Sequence, residues 1–377
     1  MEGSAAGGLI ILDTLSKRNR LLTALVAAAI LGSAHAPLRA QIDPRTALVE
    51  RDAWAALNAG KAHAAAEAFR EAITADPKNA RLHVGAGMAA ALERRDADAR
   101  DEFERALALD AKLTQARALL GQVQYRFGDF AGAIRTYDTL ISLAPDDRDA
   151  QATVDRWRRE LELHDRMQHA VSSHFTVSFE GPAEAALAAE ALEVLDRAYW
   201  RIGLLLGGSY PNEPVPVVLY TGEQFRDITR SPSWAAGAYD GIIRVPMRGA
   251  VDNPKELDRV LSHEFTHALI RGLAPRGVPA WLNEGLATAL ESGDLGWAEK
   301  QVRSQSKPVP LRELQSGFGR LTGDQAQLAY ATSALAARRL IEEAGGFAIA
   351  NLLRDLGEGV DFETAFLHRI QRPFADW

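Results

Sequence analysis

The chain has 377 residues, 47% of them apolar and 25% charged, so wholesale disorder is excluded and there is length for two or three domains. Its formal charge of −7 does not favour nucleic acid as a partner. The absence of cysteine excludes disulfides, thiolate nucleophiles and cysteine-bound zinc or iron–sulfur clusters. Any metal must therefore be held by His, Asp or Glu.

The first predicted element is an address. Lys17, Arg18 and Arg20 precede the apolar run Leu21–Gly32, and Ala34-His35-Ala36 follows. This is a secretory signal pattern over residues 1–36, with Ala36 as the last residue removed and Ala40 as a second candidate. The run is shorter than the roughly 20 residues of a membrane span. Membrane attachment is expected only through this segment, were it left uncleaved. The expected location is periplasmic or secreted, in a bacterial envelope.

A spacing of 34 residues governs the next stretch. Ala65, Ala99 and Ala133 repeat at that interval, as do Phe69, Phe103 and Tyr137, and then Pro77, Ala111 and Pro145. Gly87 and Gly121 occupy matching places earlier in units two and three. A small residue lets two helices approach, and the aromatic four residues later fills the gap on the same face. This pattern resembles the tetratricopeptide repeat. Three units are expected over residues 46–170, an all-α solenoid whose open end is capped by an amphipathic helix at 149–167. Two readings stand for it: a concave groove binding a peptide or protein partner, or a scaffold packed on the next domain.

A second domain is expected from residue 172. Phe175, Val177 and Phe179 alternate with polar residues, as a half-buried strand does. A helix follows from Pro182 to Leu206, a strand over Pro214–Tyr220 and a short helix over Gly222–Thr229. Asp240-Gly241 reads as a hairpin turn. The rest reads as helical, at 254–272, 280–292, 324–344, 347–356 and 361–370. The expected class is α+β, a small antiparallel sheet followed by helices.

The chemistry sits in Leu261-Ser-His-Glu-Phe-Thr-His-Ala-Leu269. His263 and His267 are four apart, so both imidazoles reach one ion from one helical face. Glu264 between them can serve a metal-bound water as general base without being a ligand. Asn253 and Pro254 form a plausible helix start, with Glu256 at the third helical position. Glu284 follows His267 by seventeen residues, in Trp281-Leu-Asn-Glu-Gly-Leu-Ala287. Glu291 lies two turns further on the same face, as a partner for a ligand histidine or a solvated acid. Asn283 has the same two readings.

The Trp-Leu-Asn-Glu-Gly run resembles the second ligand helix of the gluzincin metallopeptidases. That resemblance implies a zincin-like fold and a Zn2+ site of His263, His267 and Glu284. It also makes Tyr330 a candidate oxyanion donor, with a core aromatic as the alternative. The whole order of signal segment, repeats, sheet, His-Glu-x-x-His and Ala329-Tyr330-x-x-Ser333 resembles the bacterial peptidase MA-like proteins, over 172–370. The exopeptidase motif of gluzincin aminopeptidases is absent, and Gly237-Ala-Tyr-Asp-Gly241 stands in its place. The expected activity is internal cleavage of a peptide or protein substrate laid along Ile242–Val245 as an exposed strand edge. The alternative is a latent or non-catalytic repeat-based binding protein, its cleft covered by the tail Gln371–Trp377 or by the repeats.

Overall fold

The computed structural model describes residues 44–59, 61–93, 95–181, 184–229, 237–246, 253–275, 277–291, 293–304, 309–315, 318, 321 and 323–377. The expected signal segment lies outside them. No helix among the described residues is long and apolar enough to cross a membrane. The chain divides into two compact units between Leu163 and His164.

Among the described residues, seven helices build the first unit: α1 (Pro44–Asn58), α2 (Ala62–Ala75), α3 (Ala80–Leu92), α4 (Asp96–Leu109), α5 (Thr114–Arg126), α6 (Phe130–Leu143) and α7 (Arg148–His164). They are the three expected pairs and a final cap. Ala65, Ala99 and Ala133 are fully buried, and Phe69, Phe103 and Tyr137 are buried beside them. Gly87 and Gly121 have no room for a side chain. A methyl group there would come within 2.6 Å of the Phe103 ring and 2.5 Å of the Tyr137 ring. The spacing of 34 is thus a spacing of aromatic rings seated on bare backbone. Trp157 of α7 closes the stack, parallel to Tyr125 at 4.8 Å and edge-on to Tyr137 at 4.5 Å.

The second unit opens with β1 (Gln168–Val171) and β2 (Phe175–Phe179), followed by α8 (Ala185–Leu205) and β3 (Val215–Tyr220). After them come α9 (Gly222–Thr229), β4 (Ala238–Tyr239) and β5 (Ile243–Pro246). The strands form one sheet in the order β1-β2-β3-β5-β4. Only its outer pairs are antiparallel; β2–β3 and β3–β5 are parallel. The expectation of an antiparallel sheet is corrected to a mixed one. Parallel neighbours need a crossover connection, and α8 and α9 supply the two. Strand β3 also shows the near-continuous burial of a strand covered on both faces.

The Asp240-Gly241 turn forms where expected, with Gly241 at φ 119. Its consequence differs from the expectation. It folds β4 back along β5, so Ile242–Val245 is not an exposed edge; β5 is paired on both sides and β4 is the outer strand.

The remaining helices are α10 (Pro254–Leu273), α11 (Ala280–Glu291), α12 (Gly296–Arg303), α13 (Gly323–Gly357, broken at Gly345, φ 78) and α14 (Phe362–Ile370). One core joins the sheet to them; Phe175 of β2 meets Phe265 of α10 edge-on at 5.5 Å. The C-terminal tail belongs to that core. Phe374 is buried and stacks on Trp281 at 5.7 Å, with Trp377 at 6.2 Å from the same ring. The tail Gln371–Trp377, expected as a candidate cover of the cleft, is instead fixed on the start of α11 by burial of its aromatic rings.

Candidate metal centre

Helix α10 starts as its sequence suggests. The Asn253 side chain accepts a hydrogen bond from the Glu256 N–H, and Pro254 takes the first helical turn. Glu256 does not complete a capping box, because its carboxylate turns to Arg259 instead. The helix is buried along its middle, which carries His263, Glu264 and Phe265 inward. After the short connection ending at Pro279, α11 runs back against it and brings Glu284 to the same place. Gly285 lets α13 pack closely on α11, since a methyl there would sit 2.4 Å from the Ser333 carbonyl oxygen.

Nε2 of His263 and Nε2 of His267 are 3.1 Å apart. Oε2 of Glu284 is 3.7 Å from each of them. A point equidistant from these three atoms lies about 2.0 Å from each, the length of a zinc–nitrogen or zinc–oxygen bond. Among the described residues, this is the one group of three or more His, Asp or Glu side chains whose donor atoms converge so closely.

Electrostatics support the same reading. Both Glu284 carboxylate oxygens and Nδ1 of His267 are buried without a hydrogen-bond partner. Buried polar groups are ordinarily satisfied, and an orphaned carboxylate is especially costly. A divalent cation at the equidistant point removes that cost, so the residues present fit a zinc ion. Three protein ligands leave a fourth position for water, as in catalytic rather than structural zinc sites.

The ionisation of the metal-free group is strongly divided. Burial lowers the pKa of His263, but Glu284 and Glu291 outweigh it and lift it to about 10. Burial takes His267 down to about 4, against the pull of Glu284. Burial pushes Glu284 upward, yet His267, His263 and the Tyr330 hydroxyl outweigh it and hold the carboxyl below its ordinary range. Glu264 is lifted to about 8, first by burial and then by the charges of Glu284 and Glu291, with His263 opposing. Such separated values for neighbouring groups are a mark of functional sites.

Each residue singled out in the sequence has a definite place here. Glu264 lies against Gly237, where the chain enters the outer strand β4, and its Oε1 is buried without a partner. Oε2 of Glu291 accepts a 2.6 Å hydrogen bond from Nδ1 of His263, so the partner reading holds and the solvated one does not. Asn283 is half-buried beside His267. Tyr330 is buried edge-on to Phe318 at 5.2 Å, and its hydroxyl faces Glu284. It therefore has both a core role and a place at the site.

Two arginines were not picked out from sequence. Nη1 of Arg259 donates to Oε1 of Glu291 at 3.0 Å, and Nη2 of Arg201 donates to Oγ of Ser262 at 3.0 Å. Arg259 stands one turn before His263 on the same helix, a spacing that could have drawn attention to it.

Comparison with known proteins agrees with this division. Residues 202–370 match the model of the Peptidase MA superfamily, and residues 53–79 and 90–156 match tetratricopeptide repeat models. No curated protein matches the sequence. Among solved structures, the chain is similar to the first TPR of Spaghetti (RPAP3) bound to an HSP90 peptide, at 19% identity and TM-score 0.31, over 33% of this chain and 99% of that one. It is also similar to the second TPR domain of human RPAP3 in complex with an HSP70 peptide, at 24% identity and TM-score 0.29, over 30% and 96%. A third is the Arabidopsis OM64 TPR domain, at 18% identity and TM-score 0.30, over 30% and 95%. The chain thus joins tetratricopeptide repeats to a Peptidase MA superfamily domain.

A Cβ at Gly237 would lie 2.6 Å from Oε1 of Glu264. Gly237→Ala is therefore expected to turn the Glu264 carboxylate out of its place while leaving zinc uptake intact. A crystal structure of the variant, with its metal content, checks this. An unmoved Glu264 would show that the close approach is not what holds it.

Proposed function

We propose that the second unit is a zinc-dependent peptidase acting on internal bonds of peptide or protein substrates. The observation that carries the proposal is the convergence of His263, His267 and Glu284, whose carboxylate has no donor within hydrogen-bonding distance, beside Glu264. His263, His267 and Glu284 would hold the ion. Zinc bound there would supply Lewis acidity and a water of lowered pKa.

The chain's own groups do the rest. Glu264 is buried beside the proposed ligands and has an oxygen without a hydrogen-bond partner, both of which suit a group that takes up and returns a proton. It accepts the proton of the attacking water and passes it to the leaving amine. Tyr330, with its hydroxyl at the site, donates a hydrogen bond to the substrate carbonyl oxygen as that oxygen gains charge. Glu291 keeps His263 in the tautomer that presents Nε2 to the ion. An extended substrate is laid along β4, the outer strand, whose first approach at Gly237 borders Glu264.

The repeats recruit a protein substrate or partner. The stacked aromatic–glycine contacts give them a rigid frame for such a surface. Residues 1–36 direct the chain to the bacterial envelope. Protein recovered from the producing cells should begin at Pro37 or Gln41 by N-terminal sequencing; a retained Met1 would contradict cleavage.

Glu264→Gln is expected to keep about one zinc ion per chain while hydrolysis of an unfolded protein substrate falls about 10²–10⁴-fold. Glu284→Ala is expected to lose both zinc and hydrolysis. Metal analysis with a casein-type assay measures both. Full activity in Glu264→Gln would remove Glu264 from the mechanism.

A further inference from the structure

Beyond the three ligands, the site is braced from the side where α11 ends. Glu291 is the last residue of that helix, and its two carboxylate oxygens have different partners. Oε2 accepts from Nδ1 of His263 at 2.6 Å, and Oε1 accepts from Nη1 of Arg259 at 3.0 Å. The same guanidinium is held by Glu256, with Nε donating to Oε2 at 3.0 Å and Nη2 to Oε1 at 2.6 Å. Arg259 therefore sits between two carboxylates, its orientation set by one and imposed on the other.

A second arginine fastens the same helix end. Nη1 of Arg201, from α8, donates to the Leu290 carbonyl oxygen at 2.7 Å, and its Nη2 reaches Oγ of Ser262, the residue before His263. The Ser262 hydroxyl in turn donates to Oδ1 of Asp258 at 3.1 Å. Two cations at the C-terminal end of α11 also meet the negative end of its dipole. The register of α11 against α10 is thus fixed by directed bonds at both Leu290 and Glu291, next to the histidine they serve.

We infer that Arg259 is a positioning residue for the metal centre, acting through Glu291 to fix the His263 ring and so to set how tightly the ion is held. This rests on the metal site proposed above and extends it to a residue that touches neither ion nor substrate. The fork geometry matters. Arg259 uses three N–H groups in two directions at once, which the single ammonium of lysine cannot reproduce. Without it, Glu291 keeps its bond to His263 but has a buried oxygen with no donor, and no longer has a fixed orientation to pass to the ring. Partners of this kind commonly change metal affinity by 10–100-fold.

The test uses the full chain and zinc ion, with the dissociation constant read by competition against a chromogenic chelator. Arg259→Gln and Glu291→Ala are each expected to weaken zinc binding about 10–100-fold. If Arg259 acts through Glu291, the double variant binds within about twofold of the weaker single one, because the two losses are one loss. A purely structural role for Arg259 would instead multiply the two effects. That outcome would overturn the proposal, as would unchanged affinity in Arg259→Gln. Should Arg259→Gln not fold, Arg259→Lys makes the same comparison. It is expected to bind zinc more weakly than the unaltered chain, and full retention would overturn the fork argument. If the unaltered chain binds no zinc, the peptidase reading fails and this inference fails with it. Tight zinc binding with an indifferent Arg259 would sink this inference alone.

Discussion

A buried carboxylate with no donor within hydrogen-bonding distance is the constraint around which the second unit is organised. Glu284 sits at the meeting of α10 and α11, with two imidazole nitrogens 3.7 Å from one of its oxygens. Neither distance is a hydrogen bond, and both are what two ligands of one ion require. Trp281, Leu282 and Leu286, neighbours of Glu284 on α11, are fully buried in the core. The core therefore spends its packing on holding three donor groups in a place where, without a cation, they are poorly satisfied. Strain of that kind is expected at functional sites rather than in structural ones.

The centre is supported from two sides that are chemically separate. On one, the outer strand β4 approaches Glu264 at a residue without a side chain, which determines where its carboxylate can be. On the other, the end of α11 is fastened by Arg201 and Arg259, which determine how Glu291 meets His263. In the proposed peptidase, the first support would serve proton transfer and the second the metal. Their separation means that base and ligand can be perturbed one at a time.

Much of this was legible in the sequence because it depends on spacing. The interval of 34 reports a ring against a glycine in the second and third units, Phe103 with Gly87 and Tyr137 with Gly121. The pair His263 and His267 reports one helical face. Glu291 was legible from Glu284 by the same rule of turns, whereas Glu284 itself was legible only through the resemblance of Trp281-Leu-Asn-Glu-Gly285 to a known ligand helix. What was not legible depends on how distant segments meet. Strands β2, β3 and β5 have the same patterning whether they pair parallel or antiparallel, and only the crossovers decide. Strand β1 is short and mostly exposed, so it has no alternation to read. The role of Arg259 needs Glu291, thirty-two residues away, and a charged residue on a helix gives no sign of a buried partner. The seating of the tail was not legible because the ring its aromatic residues pack on, Trp281, lies far upstream.

The most direct measurement is a crystal structure of the full chain grown with zinc, with anomalous diffraction collected on both sides of the zinc absorption edge. The expected result is one strong anomalous peak bonded to Nε2 of His263, Nε2 of His267 and a carboxylate oxygen of Glu284, with Glu264 nearby and not coordinated. A zinc-saturated crystal with no peak at that point, or with an ion that leaves Glu284 unbound, would contradict the account.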